Sequence, residues 1–193
     1  MLRRLYDWTM ALAGHRHASV ALGAVSFIES SFFPIPPDAL LIPMVLADRK
    51  SWFWYAALCT LTSVAGGIAG YFIGALLFEE VAKPILQMYG YSNQFNAFAA
   101  KYNDWGIWIV VIAGVTPFPY KVVTIASGAT GLNLPIFVLA SFASRGFRFF
   151  LVSALLYYAG PTIREFIERR LGLLFTLFMA LLLGGFVAAR YLL

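Results

Sequence analysis

Residues 27–43, FIESSFFPIPPDALLIP, set two carboxylates and a cluster of prolines inside a run otherwise apolar enough for lipid. Pro34, Pro36 and Pro37 cannot lie in one continuous helix, because each removes a backbone donor and pushes the residue before it out of the α region. The chain breaks there. Residues 115–128, VTPFPYKVVTIASG, repeat the punctuation: Pro34-x-Pro36-x-Asp38 in the first stretch becomes Pro117-x-Pro119-x-Lys121 in the second, an acid exchanged for a base. A break at membrane depth is tolerated only where protein or a water-filled cavity surrounds it, since lipid offers no partner to the freed amides and carbonyls. Both stretches therefore predict helix-turn-helix hairpins, with Pro34, Pro36, Pro37, Pro117 and Pro119 as their turns, that meet in the interior and bring acid and base together in a site.

Composition places those hairpins in a bilayer. Of 193 residues, 61% are hydrophobic and 12% charged, where a soluble domain carries about 25% charged residues, and the mean hydropathy is +0.79. The chain has room for roughly five or six apolar segments of ~20 residues and none for a soluble catalytic domain. Residues 1–17 read as a short interfacial helix. One membrane domain over 18–160 follows: a hairpin at 18–47, a span at 52–78, an amphipathic linker at 79–104, a second hairpin at 105–132 and a second span at 134–160. Residues 161–193 supply a polar loop and a C-terminal transmembrane helix. The first span carries Gly66, Gly70 and Gly74 on one face, spacing that lets two helices approach closely.

The two halves share one plan at a shift of 83 residues, so the expected fold is an all-α integral membrane protein built as an inverted repeat of two re-entrant hairpins. With both hairpins re-entrant, Arg3, Arg4, Arg16, Arg49, Lys50, Arg164, Arg169 and Arg170 face the cytoplasm, against Lys83, Lys101 and Arg190 outside. Letting both broken runs cross fully gives the same ratio. The prolines therefore decide re-entrance, and the charges do not.

Glu29, Asp38, Lys121, Arg145 and Arg148 lie inside apolar sequence. Each costs about 2.5–3.5 kcal/mol at the bilayer centre on insertion scales, so such groups face one another or a wet cavity. Arg145 and Arg148, three apart, share a helix face and are the natural counter-ions of Glu29 and Asp38, Arg148 the more peripheral. The five sum to +1, a balance that suits an anion. Burial favours a neutral carboxyl and a nearby guanidinium the ionised one. Glu29, flanked by Ser26, Ser30 and Ser31, is the preferred proton carrier; Asp38, at the turn, either assists it or caps the returning helix. Lys121, Arg145 and Arg148, with the hydroxyls of Thr116 and Tyr120, are the candidate anion-binding residues. His15 and His17 precede the first apolar run and there is no phosphate-binding loop, so no metal site, hydrolytic site, cofactor or nucleotide coupling is expected. The positive charge forms no basic run, which excludes nucleic acid as a partner.

Glu29 to Asp38 around the Pro-rich turn, GGIAGYFIG (66–74), TPFPYKVVTIASGATGL (116–132) and SRGFRFF (144–150) together resemble the DedA family of the VTT, or SNARE-associated, superfamily, and within it the YqaA-like branch. The likeness covers roughly residues 20–160. It implies a multi-pass protein of the bacterial inner membrane that moves lipids between leaflets, as an undecaprenyl-phosphate flippase or phospholipid scramblase driven by the proton-motive force. It also implies that Glu29 and Asp38 are functional, with two arginines in and after the second hairpin. VTPFPYKVV holds no arginine, leaving Lys121, Arg145 and Arg148 to supply the cationic charge. The expectation is a non-enzymatic transporter of an anionic, phosphate-bearing lipid coupled to protons. Two alternatives are a proton- or sodium-coupled carrier of a small soluble ion and a non-transporting membrane assembly protein using the glycine stripe and the exposed amphipathic linker as contact surfaces. Homo-oligomerisation is compatible with all three.

Overall fold

A computed structural model describes residues 17–32, 36–116 and 118–160. The expected interfacial helix, whose last residue alone is included, the polar loop and C-terminal span over 161–193, and the turn residues Pro34 and Pro117 lie outside the described residues. Among those described, all regular structure is helical. The elements are α1 (Ala18–Ser31), α2 (Asp38–Ala47), α3 (Trp52–Leu77), α4 (Lys83–Met88), α5 (Ser92–Asp104), α6 (Gly106–Val115), α7 (Tyr120–Ala129) and α8 (Leu134–Gly160).

Both proline clusters break the helix as the backbone chemistry demands. α1 closes with the Phe32 amide on the Ile28 carbonyl, and α2 starts only at Asp38. After α6, Thr116 is extended with ψ 167°, as the residue before a proline must be, and α7 begins directly after Pro119.

The first span differs from expectation at its far end. Helix continues without interruption from Arg49 to Met88, 40 residues, so the linker begins as a prolongation of the span. Pro84, in the first turn of α4, has no amide to donate and would crowd the Glu80 carbonyl of a continuing α-helix. The chain absorbs this by widening to a π-turn over Phe78–Ala82, where the Lys83 amide reaches back to the Phe78 carbonyl.

Polarity is arranged inside out relative to a soluble protein. On α8, Leu139 is 70% exposed while Ser141 is fully buried. Apolar side chains face outward, where lipid would solvate them, and the helices are joined inside by hydroxyls: Ser26 Oγ donates to the Cys59 carbonyl and Ser31 Oγ to the Gly66 carbonyl. Two helices, Arg49–Met88 and Leu134–Gly160, are long and apolar enough to cross a membrane.

Each of these long helices packs against limbs of both broken runs. A Cβ on Gly66 would fall on the Phe27 carbonyl of α1, and one on Gly74 on the Ile125 carbonyl of α7. Gly70 lies between Thr124 and Ser30. The glycine stripe is thus consumed in contacts within the molecule. On α8, Ser144 sits against Gly114 of α6, and Phe149 and Leu156 share a buried cluster with Leu41, Met44 and Val45 of α2.

The amphipathic helix α5 is fastened to the end of α7. The Tyr102 hydroxyl contacts Ser127 Oγ at 3.1 Å and donates to the Val123 carbonyl at 3.3 Å, while Asn103 Nδ2 donates to the Thr130 carbonyl at 2.9 Å. Burial raises the Tyr102 phenol above its ordinary value, which keeps it a donor. Tyr102→Phe is expected to cost about 1 kcal/mol, the net worth of one buried hydrogen bond, read as a lowered unfolding midpoint in detergent; no change would mean that α5 is held by its aromatic contacts alone.

Candidate functional site

Glu29 lies in the last turn of α1 and Asp38 at the first residue of α2, so the break in the first run places a carboxylate on each limb. Arg145 and Arg148 project from α8 and take one each. Arg145 Nη2 meets Glu29 Oε2 at 2.8 Å, and Arg148 Nη2 meets Asp38 Oδ2 at 2.5 Å.

The two pairs differ in surroundings. Arg145 is 2% exposed and Glu29 14%. The Arg145 guanidinium stacks between the rings of Tyr120 and Phe149, 4.8 and 4.7 Å from their centroids, and its Nε donates to Ser63 Oγ at 2.6 Å. Cation–π contacts are worth about 2 kcal/mol when desolvated. Ser63 also contacts Ser30 Oγ at 2.7 Å, and Ser30 donates to Glu29 Oε2 at 3.2 Å. One arginine therefore joins α1, α3, α7 and α8. Tyr120, fully buried, is committed to it and to Ser141.

Asp38 and Arg148 are 21% and 20% exposed. Arg148 Nη1 also donates to the Thr116 carbonyl at 3.1 Å, which ties the first break to the second. The Thr116 hydroxyl turns back to the Ile112 carbonyl, so this residue contributes its backbone to the site. Asp38 makes no capping bond. The amides that it would cap are taken: Ala39 N–H donates to the Pro36 carbonyl, and those of Leu40 and Leu41 to the Pro37 carbonyl. Its Oδ1 is buried with no hydrogen-bond partner among the described residues.

Lys121, expected beside the acids, forms no ion pair with either. Both carboxylates are held by α8. Lys121 is half-buried in the first turn of α7, and its ammonium has no hydrogen-bond or ion-pair partner among the described residues. A cation there opposes the helix macrodipole, whose positive end lies at the N-terminus. Two positive features therefore meet at one place without a counter-ion among the described residues.

Ser63 and Phe149 were not singled out from sequence. Both were within reach of it: Phe149 follows Arg145 by four residues and Ser63 precedes Gly66 by three, so each shares a helix face with a residue already marked. Among the described residues no cluster of His, Cys, Asp or Glu could hold a metal ion.

Comparison with known proteins agrees with this architecture at the level of family. The VTT domain matches residues 35–158. A protein of Haemophilus influenzae described as uncharacterized is 41% identical over 156 residues, 81% of each chain, and one of Histophilus somni, likewise described as uncharacterized, is 40% identical over the same share. No solved structure matches the chain. The protein belongs to the VTT domain family and is a membrane protein of the DedA type.

Proposed function

We propose that the protein is a transporter moving an anionic, phosphate-bearing lipid headgroup between leaflets of the bacterial inner membrane, coupled to protons. The observation that carries this reading is the uncompensated charge at Lys121. Two carboxylates and two arginines neutralise one another inside the molecule, and Lys121 is left at the positive end of α7. A phosphate would meet a point charge at the positive end of a helix there. Polyprenyl phosphate, undecaprenyl phosphate above all, is the preferred cargo and a phospholipid the second, in keeping with the resemblance to the YqaA-like branch.

An inverted pair of re-entrant hairpins fits the packing. Each long helix holds the first limb of one broken run and the second limb of the other: α3 holds α1 and α7, and α8 holds α6 and α2. Opposed hairpins that share a midplane site are a recurring transporter plan, in which one repeat rocks against the other. Lys121 and Arg148 would bind the headgroup, and a carboxylate of the first hairpin would exchange the coupling proton.

Protein reconstituted into liposomes should change the sidedness of a labelled polyprenyl phosphate under a proton gradient. Lys121→Ala should lower the rate at least tenfold while leaving the unfolding midpoint unchanged. Wild type that leaves sidedness unaltered, or a Lys121→Ala protein as fast as wild type, would overturn the reading; flux of a soluble ion without lipid movement would favour an ion carrier.

A further inference from the structure

Resting on that reading, we propose that Asp38, with Arg148 as its releasable partner, exchanges the coupling proton, while Glu29 and Arg145 form a fixed joint. Sequence alone favours Glu29, on account of its serine neighbours. The geometry reverses the choice.

Glu29 Oε2 accepts from both Arg145 and Ser30. Arg145 is held in turn by two aromatic rings and Ser63. Freeing Glu29 would leave a guanidinium that four helices close around without the carboxylate it is hydrogen-bonded to. Asp38 has none of these restraints. Its Oδ2 meets Arg148, and its Oδ1 is buried with no donor among the described residues. Buried carboxylate oxygens are normally hydrogen-bonded, so an orphaned one calls for an explanation. The amides of α2 cannot supply a donor, because the Pro36 and Pro37 carbonyls have taken them. A proton on Oδ1 removes the charge that makes the orphan costly, and the oxygen is already placed to receive it.

The charged and titratable groups around Asp38 come from two other helices. Arg148 and Arg145 act on it from α8, and the Cys59 thiol of α3 is within electrostatic reach. Glu29 is not free to share the role, since its charge is committed to Arg145. In the step itself one O–H bond forms at Asp38 Oδ1 as one breaks in a hydronium ion, which leaves as water. The ion pair is thereby dissolved, and Arg148, still held by Nη1 at the Thr116 carbonyl, turns an unopposed charge toward an incoming phosphate. Deprotonation restores the pair and expels the anion. Because Thr116 belongs to the second break, exchange at Asp38 is felt at the second hairpin as well.

The test needs no lipid. Infrared difference spectra of ligand-free protein in nanodiscs, acid minus neutral, should show the C=O stretch of a protonated buried carboxyl. Asp38→Asn should lose that band and keep its unfolding midpoint within a few degrees. The band should persist in Glu29→Gln, and in Glu29→Gln/Arg145→Met, a charge-neutral pair expected to fold if Glu29→Gln alone does not. A band that survives Asp38→Asn, disappears with the Glu29 substitutions, or is absent from wild type overturns the assignment. Lipid movement is not read here, so a failed liposome assay would remove the transport reading and leave this result to stand or fall by itself.

Discussion

Arg145→Met is expected to destabilise the protein by about 3–5 kcal/mol, the cost of stripping one partner from a buried ion pair. The substitution keeps most of the side-chain volume, so the loss is electrostatic in origin. Glu29 would be left with Ser30 alone, Ser63 would lose a donor, and the Tyr120 and Phe149 rings would lose the cation between them. Adding Glu29→Gln should recover more than half of the loss, because the double variant buries no net charge. That non-additivity is the signature of a directly coupled pair. Arg148→Met, at a pair about a fifth exposed, should cost much less than Arg145→Met. Equilibrium unfolding in mixed micelles reads all four proteins. If Arg145→Met falls within 1 kcal/mol of wild type, a loss too small for a buried pair, the joint does not exist; if the two arginines cost the same, the contrast drawn between the pairs is wrong.

That contrast marks how far sequence could reach. The breaks were legible because proline chemistry is local: a missing amide and a restricted neighbour act wherever the chain runs. Pairing of Arg145 and Arg148 with the two acids was legible from their three-residue spacing on one helix. Which arginine takes which acid was not, since that depends on where α8 crosses the first hairpin. The cap proposed for Asp38 failed for a local reason: the Pro36 and Pro37 carbonyls already take the amides of Ala39, Leu40 and Leu41. The expectation that Lys121 would share a site with the acids rested on the mirrored positions of Asp38 and Lys121. Corresponding positions in the two broken runs, however, lie against different neighbours: α8 brings two arginines to the first, and α3 meets α7 through glycines. The π-turn escaped notice because Pro84 read simply as a helix start.

The second large effect is expected at the crossing of α3 and α7. Gly74→Val should abolish the native arrangement, and Gly128→Val should do the same from the other side. A Cβ at Gly74 would fall on the Ile125 carbonyl, and one at Gly128 on the Tyr71 carbonyl, so the two glycines are complementary halves of one backbone contact. In lipid there is little hydrophobic drive between helices; close backbone approach and interhelical hydrogen bonds hold them together. A flexible side chain could move aside, but a carbonyl within a helix cannot shift without displacing the whole helix. Overpacking a core typically costs about 1–3 kcal/mol, and a clash with backbone on both sides should reach or exceed the top of that range. The Thr124 hydroxyl bond to the Ser30 carbonyl, which joins α7 to α1 alongside this crossing, would be drawn open with it. Gly90→Ala is the control: no atom lies near its Cβ position, so the only strain there is its positive φ of 74°. Thermal unfolding and cysteine cross-linking between α3 and α7 measure the outcome. A Gly74→Val protein that keeps both its midpoint and its cross-link would mean that α7 does not rest on α3, and the packing from which the opposed hairpins were inferred would be lost with it.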